Sequence, residues 1–534
     1  MKRKIFIVGF LVVFMLFFTL ACDSDNKSTG SQHQGNFEDF SELNIPEDFN
    51  FETTRQVDLK FYAPNKGTVE IIGNDGKEYY SFLTDDLNPI ERTISLPRKV
   101  TSLDFHYRSM VFSDRTVASL LNNPEVYLYN IEEIEDEQGK SESKKVKLYV
   151  IPILEGIVLE DDGSITSHWG YNNEYDEVYV QEIGAKNKFT GSGLNSSNYD
   201  QGQPSEFLPG RHYNVFTVNF TSIGNDCITW SLQTSNRLTQ DACPNAPIFP
   251  GADQDGDGVL DDHDDYPNDA SKAYDIYYPG QDNYGSLAFE DLWPDKGDYD
   301  FNDMVVHYNI KEVVNASNEL VEIEFDLLLA AIGASRQNGF YFELPIQAQD
   351  VTLIQANYPL LTQKTNDTGL AIIQVFNNTN DLIQLNGDYM NTIATDAHIP
   401  YIPISFTLEI ANEYNTSENV YFAPYNPFIT INHDLAMEVH LPGLPATPNA
   451  DLSYFNNPNN DDATDIAAGY YYKTAEGAPW AINIPFPLLH PLETVDIVDA
   501  YPDFGRWVNH NGETFVDWYT NPEIGKVYQG ASSK

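Results

Sequence analysis

The sequence predicts a mainly β protein, made of antiparallel β-sandwich domains in tandem with little helix. Apolar and polar residues alternate with period two in several separate stretches, whereas helical periodicity is scarce. At 41% hydrophobic and 13% aromatic, the chain has the material for real cores, so wholesale disorder is excluded.

Residues 1–22 have the form of a lipoprotein export signal. Lys2, Arg3 and Lys4 give a positive start and Ile5 to Leu20 an apolar stretch. The stretch is a little shorter than the roughly 20 residues a spanning helix needs. Thr19-Leu-Ala-Cys22 closes it and resembles a bacterial lipobox, with Thr19 where an aliphatic residue is usual. Cys22 is then the lipidated first residue, and the membrane is reached through that lipid. Residues 23–48 are expected to be a flexible polar tether.

The elements follow in order. Val57, Leu59 and Phe61 share one face of an early strand, and Leu103, Phe105 and Tyr107 do so later, giving a small sandwich over 49–115. A second β region spans 116–250; it includes Phe216, Val218 and Phe220 and a charged loop from Glu132 to Lys147. Pro244 to Pro250 form a stiff linker, and 251–269 is an Asp-rich segment. The last unit, 270–534, shows the clearest alternation. Val321, Ile323, Phe325 and Leu327 interleave with Glu322, Glu324 and Asp326, and Ile402, Ile404, Phe406, Leu408 and Ile410 repeat the pattern. Val495, Val498, Phe504 and Trp507 suggest one short C-terminal helix interrupted by Pro502. With Cys22 lipidated, Cys227 and Cys243 remain as an even pair for a disulfide in an oxidising compartment.

Eighty acidic against thirty basic residues leave a formal net charge of −50. That opposes nucleic-acid binding, which depends on neutralised phosphates, and favours solubility or cation binding. Two segments concentrate the acids. Asp253, Asp255, Asp257, Asp261 and Asp264 stand at positions one, three, five, nine and twelve of a calcium loop, with the backbone of Val259 at seven and Gly258 at six. Asp264 replaces the usual longer glutamate, and prolines rather than amphipathic helices flank the loop. The segment therefore resembles the short calcium repeats of thrombospondin type 3. The second segment, Phe289 to Tyr308, holds Glu290, Asp291, Asp295, Asp298, Asp300 and Asp303 among aromatic residues. Asp298, Asp300 and Asn302 have one-three-five spacing, but Asp303 sits where an EF-type loop needs glycine. Either these acids bind a hard cation, or they cap turns through backbone N–H groups.

Three passages together resemble the LruC-domain family of bacterial outer-membrane lipoproteins. They are Tyr284-Gly-Ser-Leu-Ala-Phe289 continuing to Val306, Ala331-Ile-Gly-Ala-Ser-Arg-Gln-Asn-Gly-Phe340, and Tyr470-Tyr-Tyr-Lys-Thr-Ala-Glu-Gly-Ala-Pro-Trp-Ala-Ile-Asn-Ile484. Pro209-Gly-Arg-His-Tyr-Asn-Val-Phe216 is looser. The resemblance implies a β-rich lipoprotein domain at the outer membrane and supplies no catalytic residues. No metalloprotease, nucleophile-elbow or phosphate-loop motif occurs.

The leading expectation is a non-enzymatic, calcium-binding cell-surface lipoprotein whose sandwiches bind a glycan or a protein. A glycan-processing hydrolase is the rival, with paired carboxylates from the Glu290–Asp303 loop and Trp480, Trp507 and Trp518 as a sugar platform. Those tryptophans are read first as packing residues. A structural envelope component is the third reading.

Overall fold

Val57, Leu59 and Phe61 are buried on one side of the strand Thr54–Tyr62, while Gln56 and Asp58 face water. Such alternation gives each strand one oily face, which must be covered. The computed structural model describes Phe37 and residues 39–530, apart from 64–66, 85–87, 108–109, 129–147, 161–162, 176–177, 195–198, 222–225, 235–236, 245, 247–254, 334, 360, 366–368, 386–388 and 416–421. The expected signal with Cys22, the tether as far as residue 36, the Glu132–Lys147 loop and Asp253 lie outside the described residues. Everything below belongs to the unit Phe37–Lys534.

Mainly antiparallel sheets with short helices make up this unit. In the first sandwich, Thr54–Tyr62 lies between Ile90–Pro97 and Glu125–Tyr127. It faces a four-stranded sheet ordered Glu78–Leu83, Thr68–Gly73, Ser102–Tyr107 and Met110–Thr116. Phe61 meets Phe82 at 4.8 Å and Phe105 at 5.5 Å between the sheets. The pairing of Thr54–Tyr62 with Glu125–Tyr127 is parallel, the helix Val117–Asn122 lying between the four-stranded sheet and that strand in the chain. The sandwich expected to end at 115 therefore continues to Leu128, whose side chain is in the same core.

Residues 148–246 have a core of their own. The sheet Gly210–Phe220, Ile165–Asn173, Val150–Leu159 packs on Asn187–Thr190, Ile228–Gln233, Arg237–Ala242. Trp169, Phe189, Phe207 and Trp230 fill the space, with the two indoles perpendicular at 5.8 Å. Cys227 and Cys243 are disulfide-bonded, just beyond the paired ends Ile228 and Ala242. Converting both to serine is expected to destabilise this unit by about 3 kcal/mol. Hydrogen exchange should then quicken across 148–246 and stay unchanged in the strands of the other cores. Equal loss of protection everywhere would contradict an independent core.

The C-terminal region returns to the first sandwich. Its seven-stranded sheet runs Val351–Ala356, Ile402–Asn415, Glu319–Ala331, Met304–Val314, Gly285–Phe289 and Ala481–Ile484, with Tyr274–Tyr278 also on Met304–Val314. A five-stranded sheet, centred on Gly339–Gln347, covers it, and Phe325 meets Phe342 at 4.9 Å across the layers. This core is continuous with that of the first sandwich. The Thr68 hydroxyl lies 2.9 Å from that of Tyr274, and Asn318 exchanges hydrogen bonds with the backbone of Leu83.

Three local expectations are corrected. Phe40, Phe49 and Phe51 are buried with Phe504, Trp507 and Trp518, so the tether does not reach residue 48. Pro502 opens the helix Pro502–Asn509 at its first turn, where a missing N–H is harmless, and a separate turn, Ile497–Ala500, precedes it. The register shift between Leu320 and Glu322 leaves Val321 half-buried and buries Glu322, which takes Lys272 at 2.9 Å.

Candidate metal centres

Gly256 and Gly258 take φ of +83° and +98°, the left-handed conformation that glycine adopts without cost. The Asp-rich segment therefore winds tightly between side chains that turn inward. Asp255 Oδ1 accepts the Asp257 N–H at 3.2 Å, and Asp257 Oδ1 accepts the Val259 N–H at 2.8 Å. Val259 is buried in the main core and pins the loop to the body. Asp261 lies in the single 3-10 turn Asp261–His263, and Asp264 follows it, giving one oxygen to the Tyr266 N–H at 2.7 Å. His263 Nδ1 approaches Glu70 of the first sandwich at 3.6 Å. The segment thus lies where the first sandwich and the C-terminal region meet.

Of the residues expected in this loop, Asp255, Asp257 and Asp264 offer oxygens that all lie within 4.8 Å of one another. Asp261 is outside that trio. Oδ2 of Asp255 and of Asp264 are buried without a hydrogen-bond partner. Burial, and then the charges of Asp257 and Asp255, push the Asp264 carboxyl up to about 6.

The second segment connects the strand Gly285–Phe289 to Met304–Val314, and its side chains divide between two destinations. Tyr299 and Phe301, both at positive φ, send their rings into the core around Phe40 and Phe504; Tyr299 stacks on Phe40 at 4.1 Å. Asp298 and Asp300 point instead to Glu290, and oxygens of the three lie within 4.8 Å of one another. Glu290 lies outside the Asp298–Asn302 spacing, since it stands eight residues before Asp298 and only the folded loop brings them together. Asp303 serves as a cap, its Oδ2 accepting the Asp291 N–H at 2.7 Å. Asp300 also accepts backbone N–H groups, from Asn302 at 3.1 Å and from Thr494 at 2.9 Å. Asn302 donates its amide to the Pro491 carbonyl at 3.2 Å. Burial, followed by neighbouring carboxylates, holds Glu290 well above the usual range and pushes Asp300 up to about 8 and Asp303 to about 9.

Trp480, Trp507 and Trp518 are each 1% exposed, so they present no platform to a sugar. Their work is packing: the Trp480 indole N–H donates to the Asp295 carbonyl at 2.8 Å, anchoring the acidic loop. His168 and His212 lie on paired strands of the 148–246 unit, and the His212 ring stacks on Tyr171 at 4.8 Å.

Residues 318–519 match the family described as a domain of unknown function (DUF4842). That match begins after the Glu290–Asp303 loop and takes in most of the strands of the two C-terminal sheets. No curated protein matches the chain. Among solved structures, the chain is similar to a "Putative lipoprotein from Bacteroides ovatus", at 16% identity and a TM-score of 0.39 over 56% of this chain and 89% of that one. No helix among the described residues is long and apolar enough to cross a membrane.

Proposed function

We propose that this chain is a non-enzymatic, calcium-binding lipoprotein of the outer membrane, related to the LruC-domain lipoproteins, displayed at the cell surface by lipid on Cys22. The observation that carries the calcium reading is the convergence of Asp255, Asp257 and Asp264, with one oxygen of Asp264 buried and unpartnered. Three carboxylates whose oxygens lie within 4.8 Å of one another repel unless a cation joins them, and all-oxygen donors without thiolate or imidazole suit calcium. Asp253, Val259 through its carbonyl and Asp261 would complete the ligand set, following the loop spacing. The ion would stiffen the seam between the first sandwich and the C-terminal region, which the segment already touches through Val259 and His263. The sandwiches would then hold a glycan or a protein at a fixed distance from the membrane.

The test is thermal unfolding of the purified full-length chain in detergent, with calcium, with magnesium and with chelator. Calcium at a hundredfold excess over its dissociation constant is expected to stabilise by about 2.7 kcal/mol for each site. Asp255→Asn combined with Asp257→Asn should remove the share due to this loop. An unchanged calcium response in that double variant would overturn the assignment. A rise given equally by magnesium would overturn the calcium selectivity.

A further inference from the structure

We infer that Glu290, Asp298 and Asp300 form a second site for a hard divalent cation of the calcium class, separate from the Asp255–Asp264 loop. The first support is geometric. Two oxygens bound to one calcium at about 2.4 Å lie at most about 4.8 Å apart. The ligand oxygens of these three residues all lie within 4.8 Å of one another.

The second support is the state of Glu290. Its side chain has no exposed surface. Oε1 accepts the Phe301 N–H at 2.6 Å, whereas Oε2 is buried with no hydrogen-bond partner. A carboxylate oxygen left so costs the full desolvation penalty unless something fills its lone pairs. The chain also passes directly over this atom. A Cβ built at Gly297 would lie 2.2 Å from Oε2, so a side chain there would occupy the place beside it.

Charge balance is the third support. The two nearby basic side chains are engaged elsewhere: Arg336 approaches Asp291 at 3.8 Å, and Lys296 faces Glu476 at 3.5 Å. Among the described residues, Glu290, Asp298 and Asp300 form no ion pair, and a dication between them supplies the missing positive charge. Asp298 is exposed, so an ion can enter from solvent and lose its water stepwise to the two buried carboxylates. Asp300 also holds the Thr494 N–H. An ion here would therefore clamp the loop to the 494–497 segment, where Ile497 donates to the Tyr299 carbonyl at 2.9 Å.

Calorimetric titration of the full-length chain with calcium decides the matter. Wild-type protein is expected to bind two ions, and Asp255→Asn/Asp257→Asn to bind one. Adding Asp298→Asn to that variant should weaken the remaining site by roughly tenfold or more, since affinity follows ligand charge. Asp298 is exposed, so this change leaves the fold intact; Glu290→Gln should act in the same direction. If Asp255→Asn/Asp257→Asn binds no calcium while wild type binds one, the second site is wrong and the first loop stands. If wild type binds one ion and only Asp298→Asn removes it, the second site stands and the first loop fails. Retention of the remaining ion at unchanged affinity in Asp298→Asn also overturns the inference.

Discussion

Trp507→Ala is expected to destabilise the main body by about 3–5 kcal/mol, the usual cost of deleting a buried indole. Trp507 is 1% exposed and joins two distant parts of the chain. Phe49 meets its ring at 4.9 Å and Phe51 at 6.1 Å from the N-terminal side, and Phe504 and Trp518 pack on it from the C-terminal side at 5.7 and 5.6 Å. These rings line the space that the indole would leave, so a cavity is expected to remain. Hydrogen bonds add to this hold: the Phe40 N–H donates to Asp496 at 2.7 Å, the Asn44 N–H to Asn509 at 3.1 Å, and Lys473 to Asn50 at 2.8 Å. Chymotrypsin should accordingly cut after Phe40 and Phe49 much faster in the variant. Urea unfolding measures the stability loss. A cost under about 1 kcal/mol, with no faster cleavage, would mean that the aromatic cluster does not fasten this segment. The consequence is mechanical as well as thermodynamic. On the proposed topology, the lipid and tether pull on Phe37, and the cluster transmits that pull to the C-terminal helix.

Strands were the most legible part of the fold, because a half-buried strand writes its two faces into alternate positions. Val57 to Phe61 and Ile404 to Ile410 show this directly. The signal fails where both faces are covered: Gly339 to Ile346 are all buried, inward and outward residues alike, and no alternation remains to read. It also fails at a bulge, as the burial of Glu322 shows. Which sheet takes which strand was not legible, since pairing across hundreds of residues leaves no local trace. Thus the shared core of the first sandwich and the C-terminal region, with 148–246 set between them in the chain, emerged only from the fold. The same limit governs the sites. The convergence of Asp255 and Asp257 could be read from their spacing, because alternate residues of one short turn bring their carboxylates together. Glu290 could not. It reaches Asp298 and Asp300 through a loop whose path depends on Tyr299 and Phe301 entering a core supplied by Phe40 and Phe504. Asp303, grouped with these acids in the sequence although it stands where the loop spacing needs glycine, is turned away to accept the Asp291 N–H.

Raising the pH from 4 to 9 is expected to cost the protein between about 3 and 4 kcal/mol at one residue, Glu312. Its side chain is buried in the strand Met304–Val314, between the hydroxyls of Tyr425 and Tyr278, which both donate to it. Burial dominates and pushes the carboxyl from 4.5 up to about 7, although the two tyrosines partly offset it. The folded chain therefore keeps this proton after the unfolded chain has lost it. The resulting stabilisation is fully present below pH 4.5, declines between 4.5 and 7, and is gone above 7, where the fold must hold a buried carboxylate. Glu312→Gln retains a carbonyl oxygen for Tyr425 and cannot ionise, so it lacks this dependence. The comparison should be made as unfolding free energies of wild type and variant at several pH values. Their difference cancels the many other carboxyls that titrate over the same range. The variant is expected to gain on wild type steadily between pH 5 and 7.5 and to run parallel to it outside that window. Parallel curves throughout would show that Glu312 titrates alike in the folded and unfolded chains, and that the tyrosine pair compensates its burial in full.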